Sequence, residues 1–194
     1  MAITKLSGSS LTNINKYDSF LAGNAAYDPG AYYLIERVTV GSGGSSTITF
    51  NSIASTYKHL QVRYVSRNTT ALDSFLIRFN SDTGSTYARH KLSGDGATAS
   101  AGATTATTYM ASADYPTGTS TFGAGVIDVL DYANTNKYKT MRVLAGYDAN
   151  GSGIIDFRSN LWQSTSAVTQ IDITSNSASF AQYSSFALYG IKGA

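Results

Sequence analysis

Cysteine is missing from the chain altogether. That excludes a disulfide framework and every thiolate metal site, and it leaves the redox compartment open. Glutamate occurs once, at Glu36. Long amphipathic helices draw on Glu, Lys, Leu and Ala, so the composition argues against a helical fold. Charged residues make up only 13% of the 194 residues, about half the usual share. The 14 basic and 12 acidic residues are spread thinly and leave a net charge of +2, with no polybasic tract and no acidic tail. Binding dominated by electrostatics, to nucleic acid or to an anionic membrane, is therefore not expected. No run approaches the roughly 18 apolar residues of a membrane span. The first residues, "MAITKLSGSS", contain no apolar core of a secretory signal. The expectation is a soluble chain without membrane insertion, which reaches any extracellular site by assembly into a particle.

Catalytic signatures are scarce as well. Only two histidines occur, His59 and His90, too few for a zinc site without cysteine. No G-x-S-x-G elbow accompanies them, so no Ser-His-acid triad is indicated. "GSGG" at 41–44 is followed by Ser-Ser-Thr and a strand-like run, whereas a phosphate loop requires Gly-Lys-Ser/Thr or a helix start. Asp128 and Asp131 are the nearest carboxylates in sequence. Three apart in a strand they point to opposite faces, which does not suit a pair that must flank one glycosidic bond. "AGYDANGSG" at 145–153 begins like a calcium loop, with Asp148, Asn150, Ser152 and then Gly153. Its twelfth position is Ser159 rather than a bidentate glutamate, and both flanks read as strands rather than helices. Asn150-Gly151 is instead a hairpin signal, because both residues tolerate positive φ. The expectation is no enzyme, no cofactor and no metal needed for folding.

What is present points to strands. The chain has 26 Ser and 23 Thr, so 49 of its 194 residues carry small hydroxyls, together with 18 Gly and 14 Tyr. Thr and Tyr favour strands, and Gly and Ser favour turns. From residue 32 the apolar period is two. Strand-like runs fall at 32–40, 47–50, 59–66, 74–80, 85–92, 105–112, 121–132, 137–147, 153–162, 168–174 and 184–191, and 93–104 reads as a long exposed loop. The runs at 121–132, 137–147 and 153–162 read as three consecutive antiparallel strands. About ten strands separated by turn residues predict an all-β fold, an antiparallel β-sandwich of jelly-roll type. Alternation places Leu60, Val62, Phe79, Val129, Leu144, Ile173 and Leu188 inside. The last run is apolar on both sides, with Phe186 and Leu188 opposite Tyr189 and Ile191, so it lies centrally or is covered at a contact between subunits. Fourteen tyrosines and Trp162 could offer stacking platforms. Tyr32, Tyr33, Tyr57 and Tyr87 sit in strand-like runs and read as framework.

Residues 1–31 differ from the remainder. "LTNINKYDSFLAGN" places Leu11, Ile14, Tyr17 and Leu21 at helical spacing, with Thr12 as an N-cap and Gly23 as a stop. The segment reads as a short N-terminal arm for attachment or subunit contact, ahead of a sandwich domain at 32–194. The alternative, a leading segment tucked on its own domain, stays open.

Four runs carry a family resemblance. "VTVGSGGSSTITFNSIASTYKHLQVR" (38–63), "IRFNSDTGSTYARHKLSGDG" (77–96), "VIDVLDYANTNKYKTMR" (126–142) and "YSSFALYGIKG" (183–193) resemble small bacteriophage virion proteins, of tail-fibre and capsid-decoration type. The resemblance implies a β-sandwich on the particle surface, located in the virion after assembly in the host cytoplasm. It also implies a homotrimer whose partners are itself, other virion proteins and a host surface glycan or protein. It supplies no catalytic motif. The competing function is a free carbohydrate-binding or carbohydrate-cleaving module.

Overall fold

The computed structural model describes residues 31–70, 73–115, 120–176 and 178–193. The arm residues Leu11, Ile14, Tyr17 and Leu21 lie outside the described residues. Within them the chain is all-β, with twelve strands and no helix. In chain order these are β1 (Tyr32–Thr39), β2 (Thr47–Phe50), β3 (His59–Ser66), β4 (Asp73–Phe79), β5 (Tyr87–Gly94) and β6 (Ala99–Thr107). They continue with β7 (Met110–Tyr115), β8 (Gly123–Leu130), β9 (Lys139–Asp148), β10 (Gly153–Trp162), β11 (Ile171–Ser175) and β12 (Ser185–Ile191). Every pairing is antiparallel.

An eight-stranded sheet runs β1-β12-β3-β8-β9-β10-β5-β6, and a four-stranded sheet runs β2-β11-β4-β7. The two pack together as a β-sandwich. The chain crosses between them repeatedly, and only β5–β6 and the meander β8–β9–β10 stay in one sheet for consecutive strands. The meander is the three-strand unit expected from its alternation. Its tight β9–β10 connection is the Asn150-Gly151 turn, with φ of 54° and 114°. Ala149 N–H donates to the Ser152 carbonyl at 2.7 Å across it, so the Asp148 loop is a hairpin.

The core lies between the sheets and follows from period-two alternation on β3, β8, β9 and β12 facing β4 and β11. Leu60, Val62, Phe79, Val129, Ile173 and Leu188 are all buried there. An aromatic cluster fills one end: Phe75 and Phe180 meet edge to face at 4.9 Å, Phe180 and Phe186 at 4.9 Å, and Tyr64 lies 5.2 Å from Phe75. Gly125 on β8 makes room for Tyr64, since a Cβ there would lie 2.2 Å from the Tyr64 hydroxyl. That hydroxyl bonds Ser112 on β7 at 2.8 Å. At the other end Trp162 packs against Tyr87 and Phe79 and donates its indole N–H to Asp82 at 2.7 Å.

Three expectations need correction. Leu144 is not in the core: Met141, Val143 and Ala145 point inward on β9, and Leu144 points out with 54% of its surface exposed. Alternation cannot choose between faces when both carry apolar residues. Residues 93–104 are not a loop. They end β5 and begin β6, an edge strand exposed along almost its whole length; its Ala, Gly, Ser and Thr carry no apolar period that would reveal a strand. The run at 105–112 is not one strand: β6 ends at Thr107 and β7 begins at Met110. Tyr32 and Tyr33 lie in the edge strand β1, each 44% exposed. Tyr87 is fully buried, as expected of framework, and Tyr57 is half-buried. The closing strand β12 lies between β1 and β3, with Phe186 and Leu188 buried and Tyr189 and Ile191 half-buried on its other face.

Candidate recognition surface on the large sheet

The small sheet covers one face of the large one, and the strand alternation leaves the opposite face outward. That outer face divides into an apolar tract and a cationic, aromatic depression. The tract is built by cross-strand register. Val126 on β8 pairs with Leu144 on β9, Leu144 with Phe157 on β10, Phe157 with Leu92 on β5, and Leu92 with Ala101 on β6. A second row runs parallel to it through Ala124, Gly146, Ile155, Gly94 and Ala99. Leu92 is 57% exposed, Ile155 64% and Phe157 47%. Side chains directly opposite across strands lie about 5 Å apart, so these form one continuous apolar surface rather than scattered exposures. Contiguous apolar patches on a protein surface mark interaction sites.

The depression lies over β1, β12 and β3. Its lining includes Leu34, Arg37, Arg63, Val65, Ser185 and Tyr189. Arg63 is fixed from several sides. Its guanidinium sits 5.1 Å from the Tyr32 ring centre and 5.5 Å from that of Tyr189, within cation–π range. Its Nε donates to Gln61 Oε1 at 2.7 Å, and Gln61 Nε2 donates to Asp128 Oδ1 at 2.7 Å. Asp128 thus orients Gln61 and, through it, Arg63. Tyr183, just ahead of β12, is 70% exposed and holds φ at 72°, an unusual conformation for a bulky side chain.

The remaining polar groups are mostly engaged in structure. Asp131 follows β8 and accepts from Lys58 at 2.8 Å and from Lys137. These hydrogen bonds, that of Lys137 first, hold its carboxyl down at about 2. His59 Nδ1 accepts the Asp131 backbone N–H at 2.9 Å, and His90 is exposed on the outer face of β5. On the inner face of β10, Arg158 donates through Nε and Nη2 to Asp156 Oδ2 at 2.9 and 2.6 Å, with both residues buried. Lys139, fully buried, donates to the Lys137 and Thr165 carbonyls, and burial lowers its pKa. Asp148 accepts the Asn150 N–H at 2.7 Å. Among the described residues no group of three His, Cys, Asp or Glu side chains is placed to hold a metal ion.

The tyrosines raised the possibility of stacking platforms, and Tyr32 and Tyr189 now flank an arginine. The tract could have been suspected from the doubly apolar runs "MRVLAGY" and "GIIDFRSNLW". Arg63, by contrast, looks in sequence like an ordinary polar-face residue. No protein-family model, no curated protein and no solved structure matches the chain.

Proposed function

We propose that the protein is a bacteriophage virion structural component, a surface-exposed tail-fibre or capsid-decoration module that works by assembly rather than by catalysis. The apolar tract on the outer face of the large sheet carries this reading, because no described residue covers it and an assembling subunit needs such a surface. The wording of the four family-like runs supports the virion setting and a homotrimer. The sheet-crossing path supports a jelly-roll reading: β2-β11-β4-β7 forms one sheet, and β3, the β8–β10 meander, β5 and β6 form the other. The meander stands in the place of a single strand, with β12 and β1 added beside β3. The tract crosses five strands, β8 to β6; four inter-strand steps of about 4.8 Å and a strand length of about 27 Å give it an area on the order of 500 Å². A stable protein contact buries about 800 Å² on each partner, so the tract would form the apolar centre of a contact whose rim reaches beyond it.

Light scattering on the full chain tests the assembly claim, with a trimer expected at micromolar concentration. A monodisperse monomer there would reject self-association. Imaging of an intact particle decides the virion claim, and a particle without this polypeptide rejects it. The second reading, a carbohydrate-binding module, is favoured by one observation, the Arg63 depression with its flanking tyrosines.

A further inference from the structure

We propose that the depression over β1, β12 and β3 binds a carboxylate carried on a sugar ring, an acidic unit of a polysaccharide, with Arg63 as its clamp and Arg37 as the second cation. This rests on the binding reading, not on the assembly reading, and either can fail without the other.

The case begins with charge. The only charged side chains lining the depression, among the described residues, are Arg37 and Arg63. Among the described residues neither arginine is in a salt bridge. The Arg63 bond to Gln61 uses Nε alone, so both Nη nitrogens stay available. A guanidinium presents parallel N–H donors that match a carboxylate's two oxygens, which an ammonium cannot do.

Spacing comes next. Arg37 pairs with Ala187, and Ala187 pairs with Arg63, so all three lie in one cross-strand row. The two arginine Cα atoms are therefore two strand steps apart, about 10 Å. Between them stands only a methyl group, and Ser185 lies two residues along the same face of β12. The floor is thus small, with the Arg63 guanidinium drawn along the sheet toward Tyr189 and Tyr32 and Arg37 lining the other side of the depression.

Preorganisation is the third point. A free surface arginine loses rotamer freedom when it grips a ligand. Arg63 has already been ordered by Tyr32, Tyr189 and the Gln61–Asp128 relay, which lowers the cost of binding. Exposed Leu34 and Val65 border the site and offer apolar contact for the C–H face of a pyranose. Tyr189 and Ser185, which also line it, carry hydroxyls suited to polar contact with ring hydroxyls. An acidic peptide would meet the same cations, but a small floor bordered by Leu34, Val65 and Tyr189 suits a ring better than an extended chain.

The experiment is calorimetric titration of the full chain with trigalacturonate, with neutral galactotriose, with acetate and with an oligoglutamate peptide. Saturable binding of trigalacturonate is expected, with no measurable binding of galactotriose and much weaker binding of acetate and peptide. Arg63→Gln should weaken trigalacturonate binding by about tenfold or more, and Arg37→Gln by less. Arg63→Lys should fall between wild type and Arg63→Gln, since it keeps charge but loses the fork. Thermal melting of each variant, expected unchanged, separates lost binding from lost folding. The proposal is overturned by absence of trigalacturonate binding or by equal affinity for galactotriose or acetate. Tighter binding of the peptide, or an Arg63→Gln variant that binds like wild type, overturns it as well.

Discussion

Val143 and Leu144 are neighbours on β9, and they have opposite surroundings. Val143 is fully buried under the small sheet, and Leu144 is 54% exposed on the far side of the same strand. The contrast extends across the central strands of the large sheet. Its inner face buries Leu60, Val62, Ile127, Val129 and Met141, and its outer face shows Leu92, Leu144, Ile155 and Phe157 to solvent. Both faces are apolar, yet only one has a partner among the described residues. Burying an aliphatic side chain is worth roughly 1.5–3 kcal/mol. An outer face carrying several such side chains holds driving force that the described residues leave unused. The two faces differ in polar chemistry too. Inner polar groups such as Asp156 and Arg158 are paired, as buried charges must be, whereas Arg63 on the outer face keeps its outer nitrogens available.

The contrast can be tested hardest on the inner face. Phe75→Ala removes the ring that touches Tyr64, Phe180 and Phe186, and a loss of about 3–5 kcal/mol is expected by denaturant unfolding. A loss below 1 kcal/mol would mean that the cluster is not the core described here. Arg158→Ala should come next at about 3 kcal/mol, because it strands the buried Asp156 carboxylate. The double change Asp156→Leu with Arg158→Met should recover most of that loss; no recovery would show that the pair does more than satisfy itself. On the outer face the expectation reverses. Leu144→Ser should leave subunit stability within about 0.5 kcal/mol yet reduce the oligomer in light scattering, whereas Val143→Ser should unfold the chain. Equal destabilisation by both would erase the distinction between the faces.

The smallest effect concerns acid. The folded-state pKa of Asp131 is depressed to about 2 by its two lysines, so its contribution is present above the ordinary carboxylate range and is lost as pH falls toward 2. Lys58 and Lys137 are both more than half exposed, so solvent screening keeps the contribution below about 1 kcal/mol. Asp131→Asn should flatten the stability profile between about pH 4 and pH 2 by that amount, and an unchanged profile would show that the ion pairs contribute nothing.

Much of the architecture was legible before any coordinates. The runs at 47–50, 59–66 and 153–162 coincide with β2, β3 and β10, because each alternates apolar and polar residues or is bounded by clear turn residues. The Asn150-Gly151 hairpin was legible for a local reason, the tolerance of both residues for positive φ. The strand β6 was not, since "ASAGATTAT" has no apolar period and is held by pairing to β5 alone. Leu144 was misplaced because local alternation specifies two faces without saying which is covered. The Arg63 site was hidden for a similar reason: Tyr32, Arg63 and Tyr189 come from three strands whose neighbourhood depends on β12 inserting between β1 and β3.

By itself, then, the order of residues determined an all-β chain, most strand positions, the turn chemistry and the absence of local catalytic signatures, since each of these is set within a few residues by steric and hydrogen-bonding preference. Which face of the large sheet is covered, which leucine is core, and which tyrosines flank an arginine were decided only in the tertiary structure. Those properties depend on pairing between strands more than a hundred residues apart, and no local preference of the chain encodes them.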